Sequence, residues 1–292
     1  MKVLESLRLK LRRGELATLP FVMQSLLSAL SDPHSSAKQL GRVIETDQAL
    51  SASVLRLANS AYYGLSQQVS DMQQAVTLVG YSALRELVMS ITSYDLIFRS
   101  GSVTYDRQEL WSHSLQVACG SRVLARRFPK VPQEVVFVAG ILHDVGMTLM
   151  DQHAHSLFVT IVSTAKQMNQ SQYAVEKNLV GVTHAEVGQW AAEAWNLPPV
   201  LQSAIRYHHD PQNAGPHRLA ASIVAMADAL CHDPYTLDTD EVALMRQVGD
   251  FLGLPEPDWP LLRNQIASEA SAMSSVLSLP GKAQESAGAA SP

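Results

Sequence analysis

The sequence predicts an all-α fold, on three observations. Apolar residues recur at i, i+3 and i+4 through most of the chain. Long alternating apolar–polar runs with turn dipeptides between them, the signature of strands, are absent. Helix-start residues repeatedly stand just before the apolar runs. The chain of 292 residues is 47% hydrophobic and only 17% charged, so it can bury a sizeable core and does not read as disordered overall.

The elements follow in order. The opening stretch MKVLESLRLKLRRGEL is charged throughout and lacks the apolar centre of a signal peptide. It reads as a solvated first helix, with a basic amphipathic helix touching lipid as the alternative. Asp47 is an N-cap for a helix bearing Leu50, Val54 and Leu57. Asn59 and Ser60 end that helix. Tyr62 and Tyr63 before Gly64 are then either an aromatic pair packed beneath the stop or a partner-binding surface. The segment from Ser70 to Gln73 opens an apolar run through Val76, Leu78 and Val79 that stops at Gly80. The polar stretch FRSGSVTYDRQ, from Phe98 to Gln108, is the clearest linker.

Beyond it, Asp106 with Glu109 opens a helix carrying Trp111, His113, Leu115 and Val117. Pro132 starts the run VPQEVVFVAGILHDVG, Thr183 and Glu186 form a capping-box pair, and Pro198 and Pro199 begin VLQSAIRYHH. LAASIVAMADAL reads as a buried helix and HDPYTLDTDE as a turn-rich connection. Two last helices are expected around Val242–Leu252 and Trp259–Leu277, and PGKAQESAGAASP reads as a disordered tail. The chain thus divides into an N-terminal helical half at 1–100, a second helical bundle at 101–235, C-terminal helices at 236–279 and a tail at 280–292.

Composition excludes several roles. The net charge of −5 argues against a general nucleic-acid binder, so Arg8, Lys10, Arg12 and Arg13 are read as one solvated basic face and DNA is not an expected partner. Cys119 and Cys231 lie in apolar stretches and read as small buried hydrophobes, which fits a reducing cytoplasm. No run of about 18 uninterrupted apolar residues occurs, so no membrane span is expected.

The residues able to carry chemistry are histidines and aspartates. Five of the ten histidines and two aspartates stand in order on the second half's helices: His113, the pair His143 and Asp144, His184, the pair His208 and His209, and Asp228. Neutral imidazole with carboxylate suits divalent transition ions, here Fe, Mn, Zn or Ni, as one ion or two. Converging helices that each contribute a ligand can build such a centre. Adjacent ligands on one helix diverge by about 100°, so His143 and Asp144 serve one centre, or two neighbouring ions, by pointing to either side of a cavity. Asp144 could bridge two ions through its two oxygens. His143 with Asp144, and Asp228, sit in apolar surroundings where a charge without a partner is costly. His34, His153, His155, His217 and His232 are read as ordinary core or surface residues.

At these residues the chain resembles the HD superfamily of metal-dependent phosphohydrolases, named for a His-Asp doublet, here His143 and Asp144. The family's order matches His113, His143, Asp144 and Asp228. The further ligands of the HD-GYP branch, which cleaves cyclic di-GMP, look like His184, His208 and His209. The first half resembles the HDOD domain, an HD-related output module of bacterial signalling proteins, through Asp47, Leu50, the run Val54 to Ser60, Ala75, Val76 and Leu78 to Gly80. That resemblance runs from about Leu16 to about Pro211. It implies a helical N-terminal half packed on an HD-type helical bundle and a regulatory role through a signalling protein partner, with a divalent metal or nucleotide as candidate ligands. The alternative is a metal-dependent phosphohydrolase acting on a nucleotide, cyclic dinucleotide or phosphate ester. HD-GYP enzymes carry a Lys just after the doublet's Gly; here Met147 follows Gly146, and a Met cannot hold a phosphate by charge. Their Gly-Tyr-Pro loop is replaced by Asp210 and Pro211 after the double histidine.

Overall fold

The computed structural model describes residues 2–13, 15, 22–25, 37–60, 63–65, 67–98, 106–233 and 237–277. Tyr62, His34, the middle of the expected linker with the boundary at 100/101, residues 234–236 of the turn-rich connection and the tail at 280–292 lie outside them. Among the described residues all regular structure is helical. In chain order the helices are α1 (Lys2–Arg12), α2 (Ala37–Glu45), α3 (Gln48–Ala58), α4 (Met72–Val79), α5 (Tyr81–Phe98), α6 (Arg107–Ala125), α7 (Gln133–Leu142), α8 (Val145–His153), α9 (His155–Met168), α10 (Gln172–Val175), α11 (His184–Ala194), α12 (Pro199–Tyr207), α13 (Arg218–Cys231), α14 (Thr239–Leu252) and α15 (Trp259–Leu277).

The caps explain most of these boundaries. The carboxylate of Asp47 accepts from the Leu50 amide at 3.0 Å, and that of Asp106 accepts from Gln108 and Glu109. Thr183 and Glu186 form the reciprocal box, and Asp238 with Glu241 form a second one. The start expected at Ser70 moves by one residue: Asp71 is the N-cap of α4, and the Ser70 amide donates to the Gln74 side chain instead.

α6 is the hub, packed against α5, α7, α13 and α15. Tyr94 of α5 stacks on Phe98 and meets Trp111 of α6 edge-on, with ring centroids 4.3 and 5.3 Å apart. α6 and α7 approach so closely that a Cβ on Gly140 would stand 2.8 Å from the Ala118 Cα. The stretch Gln133–His153 is long and apolar enough to cross a membrane by composition alone, but 83% of its most apolar window is buried inside the bundle, which makes it core.

Two expectations change here. α1 is not simply a solvated helix. Leu4, Leu7 and Leu11 form one buried stripe, the helix packs against α11, and the Arg8 guanidinium lies over the Trp190 ring. Its apolar face is occupied by its own bundle while its charges face outward. The run VPQEVVFVAGILHDVG is also not one helix: α7 ends at Leu142, His143 and Asp144 form a turn, and α8 begins at Val145. The cysteines are free thiols; Cys119 is buried and Cys231 partly so. Burial pushes the Cys119 thiol up to about 12, so it stays protonated.

Arg122 ties three helices together. From α6 it pairs with Glu86 of α5 and, at 2.9 Å, with Glu269 of α15. Burial pushes the Glu86 carboxyl up while the Arg122 charge pulls it down. Removing the cation takes from the buried Glu86 its direct ion-pair partner and leaves only the weaker pull of Arg85. Arg122→Met is therefore expected to lower unfolding stability by about 3 kcal/mol in a urea titration, and adding Glu86→Gln to recover part of that loss. A strictly additive pair would contradict this coupling.

Candidate metal centre

Five separate elements deliver the seven side chains singled out in the sequence. His113 comes from the middle of α6, and His143 and Asp144 from the α7–α8 turn. His184 is the first residue of α11, His208 and His209 follow the end of α12, and Asp228 lies in the last turn of α13. The helix break matters most. On a continuous helix the side chains of His143 and Asp144 would splay by about 100°; across the turn, where Asp144 has φ −98° and ψ 14°, His143 Nε2 and Asp144 Oδ2 come to 3.2 Å.

The side chains fall into two groups that share Asp144. On one side, His113 Nε2 lies 3.0 Å from Asp228 Oδ1 and 4.0 Å from Asp144 Oδ2, and His143 Nε2 lies 3.8 Å from Asp228 Oδ1. On the other, Asp144 Oδ1 lies 3.2 Å from His184 Nε2 and 3.7 Å from His208 Nε2. His184 Nε2 is in turn 3.3 Å from His208 Nε2 and 3.2 Å from His209 Nε2. Three overlapping sets, His113/His143/Asp228, His143/Asp144/His208 and His184/His208/His209, each bring their ligand atoms within 4.8 Å of one another. Ligand atoms around an ion with bonds near 2.1 Å are spaced by about 3 to 3.5 Å; the pairs at 3.0 to 3.3 Å match that spacing, and those at 3.7 to 4.0 Å are wider.

Hydrogen bonding selects the ring nitrogens that face inward. His143 Nδ1 donates to the Gly140 carbonyl at 2.7 Å, and His208 Nδ1 to the Ile205 carbonyl at 2.8 Å. In their neutral forms both rings therefore hold the proton on the outer nitrogen, which leaves the Nε2 lone pair for the centre. His143 Nε2 and Asp228 Oδ1 are buried with no aligned hydrogen bond, although polar atoms lie 3.0 to 3.8 Å away. Proximity without alignment is what a ligand shell shows when each atom points at a common centre rather than at its neighbour.

The electrostatics agree. Burial alone raises Asp144, but His143 and His184 outweigh it and hold the carboxyl well below its usual range; His232 and His113 do the same for Asp228. Burial together with the neighbouring histidines pushes His208 down to about 3 and His209 well below its usual value. His208 and His209 are thus neutral beside ionised carboxylates, the states a divalent cation requires, whereas the neighbouring carboxylates outweigh burial and raise His143 and, well above its usual value, His184, so a cation there would displace protons.

Sequence reasoning missed three contributors. His232, placed among the ordinary residues, has Nε2 3.2 Å from Asp228 Oδ1 and its ring 4.7 Å from that of His113. The i,i+4 spacing from Asp228 was the available signal. Arg263 of α15 holds it there by donating to the carbonyls of Ala229, Leu230 and His232. Tyr173 lies over His209 at 4.3 Å between centroids. Glu176, fully buried, accepts from His184; nothing in its EKNLV context marked it. Of the other histidines left outside the site, His155 pairs with Asp151. Met147, where HD-GYP enzymes have a lysine, is buried in α8.

Comparison with known proteins agrees with this architecture. The HDOD domain family model matches residues 16–211, and the chain belongs to that family. An HDOD domain protein of unknown function from Geobacter sulfurreducens is 27% identical, with 92% of this chain and 97% of that one covered and a TM-score of 0.72. A protein from Shewanella amazonensis SB2B provisionally named a phosphohydrolase is 28% identical, with 93% and 98% covered and a TM-score of 0.71. A protein from Marinobacter aquaeolei VT8 provisionally named for signal transduction shares the fold at 23% identity, with 89% and 60% covered and a TM-score of 0.70. The chain spans less than half the length of the curated relatives it matches, 42% and 34%.

The cluster's geometry depends on Gly146. A Cβ there would meet the His184 carbonyl oxygen at 1.9 Å and the Gly188 amide nitrogen at 2.8 Å, so α8 and α11 touch backbone to backbone. Alanine normally gains about 0.5 to 1 kcal/mol over glycine inside a helix. Gly146→Ala is expected instead to lose about 3 kcal/mol, measured by denaturant unfolding, and to shift the His184 ring resonances. A stabilised variant with unmoved resonances would contradict the contact.

Proposed function

We propose, from the chain's place in the HDOD domain family, that it is a bacterial signal-transduction module acting through protein contacts, and that its HD-like bundle holds one or two divalent transition ions. The bundle is taken as 101–235, on the N-terminal subdomain of 1–100. The observation that carries the reading is the position of Asp144. It is common to both ligand groups, and it also lines a small cavity of about 10 Å³, room for about one water, together with Ser93, Leu96 and Ile97 of α5 and Thr148 of α8. The residue at the centre of the cluster therefore touches the same space as a helix of the N-terminal half. A change in what Asp144 holds is felt by α5 through packed atoms rather than through a linker.

The ligand set supports the inorganic part. His113, His143, Asp144 and Asp228 would hold one ion, and Asp144, His184, His208 and His209 a second. A bound pair would supply charge for clamping a phosphate and for making water acidic. The chain's own residues do the rest: Asp144 spans the two groups, the backbone carbonyls of Gly140 and Ile205 orient two of the rings, and Tyr173 covers His209.

A second reading, a metal-dependent phosphohydrolase, is favoured by that same bridging carboxylate and by the name of the Shewanella protein. Against it stands Met147, which supplies no charge for a phosphate. Elemental analysis with a phosphodiesterase screen separates the two. Between one and two equivalents of a transition ion are expected in the purified or reconstituted chain, lost in Asp144→Ala, with no turnover of nucleotides, cyclic dinucleotides or phosphate esters near ordinary enzyme rates of about 1 per second or more. Turnover at such rates, abolished by Asp144→Ala, would replace the signalling reading with the hydrolase. Metal below roughly a tenth of an equivalent even after reconstitution would remove the metal from both.

A further inference from the structure

Glu176 has no role in the ligand set above, yet it is fully buried. It heads a single π-turn, Glu176–Val180, between α10 and the capping box of α11. Such turns insert one extra residue into a helix and frequently occur at functional sites. Here the insertion turns a carboxylate inward. Glu176 Oε2 accepts from the backbone amide of His184 at 2.7 Å and from its ring Nδ1 at 2.7 Å. The other oxygen, Oε1, accepts from the Gln172 side chain at 3.0 Å. A carboxylate with no exposure and three donors aimed at it is a built feature, and two of the three donors belong to one histidine, His184.

The inward-facing rings are consequently not equivalent. His143 and His208 are oriented by neutral backbone carbonyls, whereas His184 is backed by a formal negative charge. A carboxylate hydrogen-bonded to the outer nitrogen of a ligating imidazole fixes its tautomer and makes the inner nitrogen a stronger donor to a cation. We propose that Glu176 is a positioning residue that makes the position formed by His184, His208 and His209 the tighter of the two metal positions, so that the centre fills in order. This rests on the reading of the cluster as a metal centre.

The test uses the full chain, metal-free, titrated with Co²⁺ against a chromophoric chelator. Glu176→Gln keeps an oxygen able to accept both His184 N–H groups, and Gln172 can rotate its amide to suit, so the variant removes charge while sparing geometry. Affinity at one position is expected to fall about 10- to 100-fold with the other unchanged, and the Co²⁺ absorption bands of the weakened position to shift. In His113→Ala the position affected is the other one. If the wild-type chain binds no Co²⁺, the metal reading itself fails and takes this inference with it. If the wild type binds two ions and Glu176→Gln leaves both affinities unchanged, or weakens both equally, the inference is overturned while the metal reading stands. Should Glu176→Gln fail to fold, Glu176→Asp, which keeps the charge but draws it back by one methylene, is titrated in the same way. Selective weakening of one position supports the proposal, and equal or no weakening overturns it.

Discussion

The structure depends on burying two carboxylates, Asp144 and Asp228, in the apolar interior of a helical bundle. An ionised carboxylate without compensation costs several kcal/mol there. Positive charge must reach both from the elements around them. In the chain alone it comes from imidazoles: against burial, Asp144 and Asp228 draw His143 upward and Glu176 and Asp144 draw His184 upward, while burial and the neighbouring histidines push His208 and His209 downward. The cluster is therefore a charge balance spread over five elements. A divalent cation at its centre would replace shared protons and let every ring stay neutral.

That balance dictates local structure as well as side-chain choice. His143 and Asp144 face the same space because α7 stops before them and α8 starts after them. The close approach of α8 to α11, where Gly146 passes the His184 carbonyl, brings the second group to the other oxygen of Asp144. Tertiary contact here overrides the local preference of an unbroken apolar run for one long helix.

Much of this was legible in the sequence, and the reasons differ by residue. Helix identity and most starts were readable because caps are local chemistry: Asp47, Asp106 and Thr183 bind amides two or three residues away. The seven ligand candidates were readable as an ordered set of residue types, and all seven meet in space. The break at His143 was not readable, because the helical period of VVFVAGILHDVG continues through it. α1 was half readable: Leu4, Leu7 and Leu11 show the stripe, but only α11 shows what covers it. Glu176 was hidden because a Glu-Lys pair reads as solvent-facing, and its burial follows from a π-turn that no short pattern encodes. His232 was passed over because its effect depends on Arg263, far along the chain, holding the end of α13.

The presence of a ligand set does not by itself report turnover, because the two properties rest on different residues. Removing any one of His113, His143, His184 or Asp144 would leave a buried partner unbalanced, so the fold itself demands them. A lysine beside Gly146 would answer no such demand. In its place Met147 packs into the core, adding apolar burial where a cation would need solvent or a ligand. The full set of ligands is therefore accounted for by charge balance within the bundle, and Met147 by apolar packing beside it.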